Sequence, residues 1–179
     1  MNTSLIQLHI HSTPCGNLIL GSYDRKLCLC DWESSRHPGA SLSRITRVLH
    51  ATSEYSISET IASAITQLDE YFDGKRISFQ LPLLFIGTSF QISVWNRLME
   101  IPYGSTVSYS TLASMLGRPT AVRAVANANG ANPISIIAPC HRVIGSDGSL
   151  TGYGGGIDVK RHLLRLEAGH ITHKHPINS

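Results

Sequence analysis

The sequence predicts an α+β chain in two small lobes. A small antiparallel sheet with a helix is expected over residues 1–86, and a mostly helical domain with a helix-turn-helix over residues 87–170. Three observations carry this. Up to Trp32 the apolar residues alternate and are broken by turn signals, the pattern of a hairpin or meander. From Ile57 onward the dominant spacing is i, i+3, i+4, i+7, the mark of amphipathic helices. Finally, 179 residues with 42% hydrophobic and 15% charged side chains can bury a core, yet suffice only for one compact unit or two lobes. The last stretch, 171–179, is expected to be a tail; His170 to Ser179 holds three His and a Pro and reads as frayed.

In the first lobe, His9 to Leu20 alternates and is interrupted by Pro14-Cys-Gly16. Tyr23-Asp-Arg-Lys26 gives a turn, and Leu27-Cys-Leu-Cys-Asp-Trp32 a further strand. His9 and His11 then share one strand face, as do Cys28 and Cys30. Ser34 to Ser43, with His37-Pro-Gly39, reads as a loop. Ile57 to Phe72 reads as a helix with Ser58 as a weak cap, an inward stripe of Ile61, Ala64, Ile65, Leu68 and Phe72, and a stop at Asp73-Gly74. Leu81 to Phe85 is a short strand or an extended linker, and Gly87-Thr-Ser89 marks the boundary.

The second lobe opens with a helix from Phe90 to Ile101, carrying Val94, Trp95, Leu98 and Ile101 on one face and closed by Pro102-Tyr-Gly104. Thr106-Val-Ser-Tyr109 is a short extended entry. Ser108 or Ser110 can cap a helix to Leu116, with Leu112, Ala113 and Leu116 inward. Gly117-Arg-Pro-Thr120 is a tight turn, after which Thr120 caps a second helix from Ala121 to Asn129, ended by Gly130. Such a pair is a helix-turn-helix. The second helix is built of small and polar residues, among them Ala121, Ala124, Ala126, Asn127 and Ala128. With few side chains able to read bases, it suits shallow docking rather than major-groove readout.

Next comes Ile134-Ser-Ile-Ile-Ala-Pro-Cys-His-Arg-Val-Ile144. A buried β-like run that stops at Pro139 presents Cys140, His141 and Arg142 at its end. The thiolate is the nucleophilic form of cysteine, and a free thiol has a pKa of about 8.5. An adjacent His and Arg, with neighbouring N–H groups, would pull that value toward neutrality. A small buried hydrophobe is the bland alternative. Beyond it, Gly145-Ser-Asp-Gly148 is a turn, and Thr151-Gly-Tyr-Gly-Gly-Gly156 is a Gly-rich loop without a phosphate-binding fingerprint. Asp158 is expected to cap the last helix, which carries Val159, His162, Leu163, Leu166 and Glu167.

No window approaches the ~20 apolar residues of a membrane span, and Met1 to Ile10 lacks the basic and apolar regions of a signal peptide. The four cysteines, Cys15, Cys28, Cys30 and Cys140, fit a reduced, cytoplasmic protein. The net charge of +3 is uneven: residues 1–86 hold seven basic and eight acidic side chains, residues 87–170 seven and four. The positive excess therefore lies in the half that carries the Cys motif, as a nucleic-acid partner would favour.

Read in order, Val107-Ser-Tyr109, Arg123-Ala-Val125, Asn132-Pro133, Pro139-Cys-His-Arg-Val143, Gly152-Tyr153 and Leu163-Leu-Arg-Leu-Glu167 resemble the motifs of the O6-alkylguanine-DNA alkyltransferases, suicide DNA-repair proteins. The resemblance covers about residues 87–169, and more loosely the first lobe. It implies an RNase H-like first lobe and a winged-helix-like second. The implied activity is direct-reversal repair: stoichiometric transfer of a methyl or alkyl group from O6 of guanine, with O4 of thymine as a second candidate, to Cys140, which inactivates the protein. No cofactor is implied. The implied partner is double-stranded DNA containing O6-alkylguanine, bound through its minor groove by a monomer; the location would be cytoplasmic, and nucleoid-associated in a prokaryote.

Roles follow from the same resemblance. Arg123 would fill the space of a flipped nucleotide, and Tyr109 would press on the 3′ phosphate and protonate the leaving guanine. Thr120, Ala121, Ala124, Asn127, Ala128 and Gly130 would contact DNA. His141 would take the thiol proton through a water, Glu167 would orient His141, and Asn132 would brace the turn before Cys140. Backbone groups of Val143 and Gly154, with Tyr153, would bind the base edge. Where family members often carry Ser, this chain has Gly154, which loses a hydroxyl contact and keeps the N–H. Some members hold a structural zinc in the first lobe, but that ligand pattern does not recur here. His9, His11, Cys28 and Cys30 are read as strand residues, and no metal is expected. Two other functions fit part of the pattern: a thiol hydrolase using Cys140, His141 and Glu167, and a DNA-binding regulator without chemistry.

Overall fold

The computed structural model describes residues 4–173, with side chains through residue 169. Its first lobe begins with a meander of β1 (Ser4–Thr13), β2 (Gly16–Tyr23) and β3 (Lys26–Trp32). Asp24 and Arg25, both at positive φ, make the two-residue β2–β3 turn, whose twist matches that of the flanking strands. The sheet order is β3-β2-β1-β4, and β4 (Ala51–Tyr55) runs parallel to β1. The sheet is therefore mixed rather than antiparallel. The parallel strand is made possible by a helix that the sequence did not announce, α1 (Ala40–Leu49), which begins inside the expected loop 34–43. Its N-cap is Gly39 at φ 75 with no side-chain cap, and β4 is nearly all exposed, so neither element carried a cap or an alternating signal.

The two faces of the sheet are covered by different helices. The second helix, α2 (Glu59–Phe72), is capped by Ser58, whose side chain accepts from Ile61 N. It packs Ile61, Ala64, Leu68 and Tyr71 against Leu18, Leu20, Cys30 and Trp32. Ile45 of α1 closes the other face with Ile6, Leu8 and Leu29. Ser22 pairs with Leu27 but Gly21 pairs with Leu29, so Cys28 is the extra residue of a bulge. That insertion turns Cys28 onto the α1 face while Cys30 stays on the α2 face. The expectation that both cysteines share a face is thereby overturned. No cluster of three or more His, Cys, Asp or Glu placed to hold a metal occurs among the described residues.

The second lobe follows the expected order. Thr88 and Gln91 form a capping box for α3 (Ser89–Leu98). Ser108, not Ser110, caps α4 (Tyr109–Met115) by accepting from Thr111 N. Gly117, at φ 68, then starts the turn to α5 (Val122–Gly130). Thr120 does not cap α5; the N-cap is Ala121, without a side-chain bond, and Gly130 is the last helical residue rather than the stop. Before α4, β5 (Val107–Ser108) pairs in parallel with β6 (Val143–Ile144). The final helix, α6 (Ile157–His173), starts one residue before Asp158, so Asp158 lies in its first turn and is not its cap. It passes the residue at which a tail was expected to begin, while 174–179 lie outside the described residues. No described helix is long and apolar enough to cross a membrane.

One core runs through both lobes, from Leu18 and Tyr71 to Trp95, Val125 and Leu163. The backbone also joins them. Cys30 N donates to Pro133 O at 2.8 Å, and Ser135 N donates to Cys30 O at 2.7 Å, so the segment before Cys140 is held on the outer edge of β3. The run Ile134 to Ala138 is not a strand as expected but a series of turns, with Ala138 N bonded to Ile134 O and Ile136 at φ 68. A β-branched residue at positive φ is strained by about 1–3 kcal/mol, and such strain persists only where its surroundings over-determine it. Ile136 is 1% exposed.

Candidate active site

Pro139 ends the turns, and Cys140–Arg142 form a single 3-10 turn leading into β6. Cys140 is nearly buried, and His141 and Glu167 are wholly so. The last helix folds back as required: Glu167 Oε1 lies 2.7 Å from His141 Nε2. The remaining ring nitrogen, Nδ1, has no protein partner among the described residues and is the one free to take a proton.

Glu167 does more than face His141. It accepts from Tyr71 Oη at 2.8 Å, from Arg142 Nε at 2.9 Å and Nη2 at 3.0 Å, and from Gly104 N at 3.0 Å. Burial alone would raise its pKa, but the bonds and charges of His141 and Arg142 prevail and hold it down at about 2. Arg142 also donates to Ile101 O at 2.6 Å and lies over the Tyr103 ring. The guanidinium is thus spent on Glu167, not on Cys140 as the sequence suggested. Burial pushes the Cys140 thiol up to about 11, against lowering influences from Asn132 and Lys160. Burial likewise lowers His141, although Glu167 pulls the other way. The resting site is therefore a neutral thiol beside a neutral imidazole, and the expected shift toward neutrality is not a property of this resting state.

Asn132 Nδ2 donates to Ala138 O at 2.8 Å and to Ile134 O at 3.3 Å, while its Oδ1 accepts from Ile134 N at 3.0 Å. It brackets the strained turn from inside. Asn129 adds a bond from Nδ2 to Cys140 O at 3.4 Å. Tyr109 Oη donates to Thr151 O at 3.1 Å. Tyr153 is buried with its hydroxyl accepting from Trp32 Nε1 at 3.1 Å. Val143 is fully buried, its N–H donates to Cys140 O and its carbonyl accepts from Lys160 Nζ at 2.6 Å. Only a second lone pair on that oxygen is left for a ligand.

A cleft of about 950 Å³ opens in front of Cys140 and is lined by Tyr109, Asn127, Gly130, Asn132, Tyr153 and Gly154, among others. A Cβ on Gly154 would meet nothing nearer than Asp31 Oδ1 at 4.0 Å, so a side chain would fit there. Gly155 differs: a Cβ would lie 2.7 Å from the Trp32 ring. On α5, Arg123, Ala124, Asn127 and Gly130 are exposed, as is Thr120 before it, and Ala121 is half-buried. Ala128 is turned into the core at 3% exposure, where its carbonyl accepts from Trp95 Nε1 at 2.8 Å. It packs and offers no docking surface, which corrects its place among the expected DNA contacts.

Reading the sequence did not find Tyr71, Asn129 or Lys160, nor the pairing of Arg142 with Glu167. A signal existed for Lys160, a charged residue on the same inward helical stripe as Leu163 and Glu167. None marked Tyr71, whose burial matches any core aromatic.

Two family models cover the chain. The ribonuclease-like domain of 6-O-methylguanine DNA methyltransferase matches residues 6–85, and the DNA-binding domain of the same family matches residues 89–169. A Bacillus subtilis (strain 168) protein named as an inducible methylated-DNA–protein-cysteine methyltransferase is 46% identical over 89% of this chain and 83% of its own length. One so named from Methanosarcina barkeri is 56% identical over 60% of this chain and 68% of its own. Among solved structures, the Mycobacterium tuberculosis O6-methylguanine methyltransferase superposes with a TM-score of 0.79 at 39% identity, covering 97% of this chain and 96% of that one. The same organism's protein in complex with DNA gives 0.78 at 40% identity, over 93% and 94%. With both domains matched in order along one core, the chain belongs to the methylated-DNA–protein-cysteine methyltransferase family.

Proposed function

We propose that the protein repairs DNA by direct reversal, moving an alkyl group from O6 of guanine in duplex DNA to the sulfur of its own Cys140. The observation that carries this is a buried cysteine at the floor of an open cleft, with His141 and Glu167 aligned at 2.7 Å behind it. A lesion inside a duplex is out of reach of such a floor, so the nucleotide must be flipped out, at a cost of a few kcal/mol for unstacking. The exposed face of α5 lies in the minor groove; its small Ala124 and Gly130 let the backbone approach, and Arg123 enters the space left by the flipped base. Tyr109 stands at the cleft entrance, presses on the 3′ phosphate and gives a proton to the leaving guanine.

In the cleft, the Cys140 proton passes through a water to His141 Nδ1, and Glu167 stabilises the imidazolium through Nε2. Sulfur then attacks the alkyl carbon in line; the S–C bond forms as the C–O6 bond breaks, and its electron pair leaves with guanine. The thioether is stable, so each molecule acts once, as a monomer and without a cofactor.

Incubation with duplex DNA carrying a labelled O6-methylguanine tests this. Label should pass to protein, with one added methyl on the Cys140 peptide and none on Cys15, Cys28 or Cys30, and Cys140→Ala should bind DNA without taking label. Label released to solvent would indicate a hydrolase. Binding without transfer would indicate a regulator.

A further inference from the structure

Lys160 is a buried charge to which the transfer chemistry assigns no part. It sits in the first turn of α6 and is 0% exposed. Its ammonium donates to Val143 O at 2.6 Å and Thr151 O at 2.9 Å, and lies 5.9 Å from the centre of the Tyr109 ring. Both acceptors are neutral carbonyls, and among the described residues no carboxylate forms an ion pair with it. An unpaired buried ammonium is costly, so its retention calls for a compensating anion at some stage of the protein's work.

The charges around Cys140 identify that anion. Arg142 is matched by Glu167, and His141 is neutral at rest with Nε2 committed to the same carboxylate. Asp31 of β3 opposes a thiolate, but it accepts from Trp32 N at 2.9 Å and from Ser41 and feels the charge of Arg44. Tyr109 of α4, Tyr153 of the Gly-rich loop and Cys30 of β3 face the sulfur as neutral groups. Lys160 remains as the cation acting on Cys140 that no carboxylate offsets.

We propose that Lys160 is a positioning residue of the transfer: it ties the loop 151–156 to the strand that follows Cys140, and its fixed positive charge is the one against which the Cys140 sulfur ionises. This rests on Cys140 being the nucleophile. When the thiol proton goes to His141, the negative charge left on sulfur meets the ammonium; when the S–C bond forms, that charge leaves with guanine and is quenched by a proton. Burial pulls Lys160 down to about 8 despite the raising influence of Cys140, so most of the charge is present at neutral pH and it is lost as pH rises through that value.

The test is alkylation of Cys140 by iodoacetamide on the whole protein without DNA, read on the Cys140 peptide by mass spectrometry across a pH series. Lys160→Gln keeps a donor for the carbonyls and loses the charge; Lys160→Met loses both. Both variants should slow alkylation below about pH 8, where the wild-type ammonium is charged, by about tenfold for each pKa unit that the charge lowers the thiol, and should converge on the wild-type rate above it. Lys160→Gln is decisive, since Lys160→Met also loosens the loop. A Lys160→Gln profile that superimposes on wild type, or that is slowed by the same factor at every pH, overturns the proposal. Failure of the wild type to take methyl from labelled DNA would sink the Cys140 assignment instead, while the iodoacetamide profiles would still report what Lys160 does to the thiol.

Discussion

Replacing Glu167 by Gln removes one charge and almost no volume, and the structure sets the size of the effect. The carboxylate accepts five hydrogen bonds, three at Oε1 from Tyr71, His141 and Arg142 Nη2, and two at Oε2 from Arg142 Nε and Gly104 N. An amide supplies one acceptor oxygen. Whichever side it takes, its NH2 points at donors on the other, and Arg142 stays buried without a countercharge. Removing one partner of a buried ion pair destabilises by about 3–5 kcal/mol. For a chain of this size each kcal/mol lowers Tm by about 2–4 °C, so a fall of about 6–20 °C is expected by calorimetry. The chemistry should change as well. Gln no longer supports an imidazolium at His141, so methyl transfer should slow at neutral pH and recover in part at higher pH, where the thiol ionises unaided. A Tm within about 2 °C of wild type would refute the account of the cluster, and superimposable pH–rate profiles would refute the role given to Glu167.

Acid should unfold the protein through the same cluster: Glu167 sits at about 2 against an ordinary 4.5, so its stabilisation is complete above the ordinary value and lost as pH falls toward the lower one. His141, lowered by burial, acts in the same direction because the unfolded chain binds its proton first; a Tm flat across that acid range would contradict both. Gly155→Ala should cost about 1–3 kcal/mol in urea unfolding, because its Cβ meets the Trp32 ring at 2.7 Å, and an unchanged midpoint would exclude that packing. Ser108→Ala should cost about 1 kcal/mol as the loss of a cap, whereas Thr120→Ala, with no cap bond to lose, should stay within about 0.5 kcal/mol; the reverse order would restore Thr120 as the cap. Arg123→Ala should slow repair of duplex DNA more than reaction with free O6-benzylguanine, since a free base needs no flipping, and equal losses on both would remove Arg123 from that step.

What was legible in the sequence was whatever depended on local pattern. Ile61, Ala64 and Leu68 of the α2 stripe, the Ser58 cap and the helix-turn-helix around Gly117 are written in neighbouring residues, although buried Tyr71 was missed and the ends of α5 were misplaced. The Cys140–His141–Glu167 set was legible through resemblance to known motifs, because 26 positions of separation cannot say that two side chains touch. Features set by tertiary context were not legible. Gly39 starts α1 without a side-chain cap, β4 has no buried face to alternate, and one inserted residue at Cys28 reverses a strand's facing without altering its composition. Electrostatics misled for a related reason: Arg142 is next to Cys140 in sequence, yet the fold gives it to a carboxylate on another helix.

The bonds between Cys30 and residues 133 and 135 also fix an order of events during synthesis. The outer edge of β3 has two halves. One is covered early, by Leu27 N to Pro82 O and Leu84 N to Leu27 O, the other late, by Pro133 and Ser135. A ribosome adds about 5–20 residues per second, so the Cys30 half emerges roughly 5–20 s before its partner exists. During that interval the N–H and C=O of Cys30 stand unpaired at an apolar edge and are open to any strand nearby. The segment that bears the nucleophile is therefore also what closes the outer edge of the first lobe's sheet.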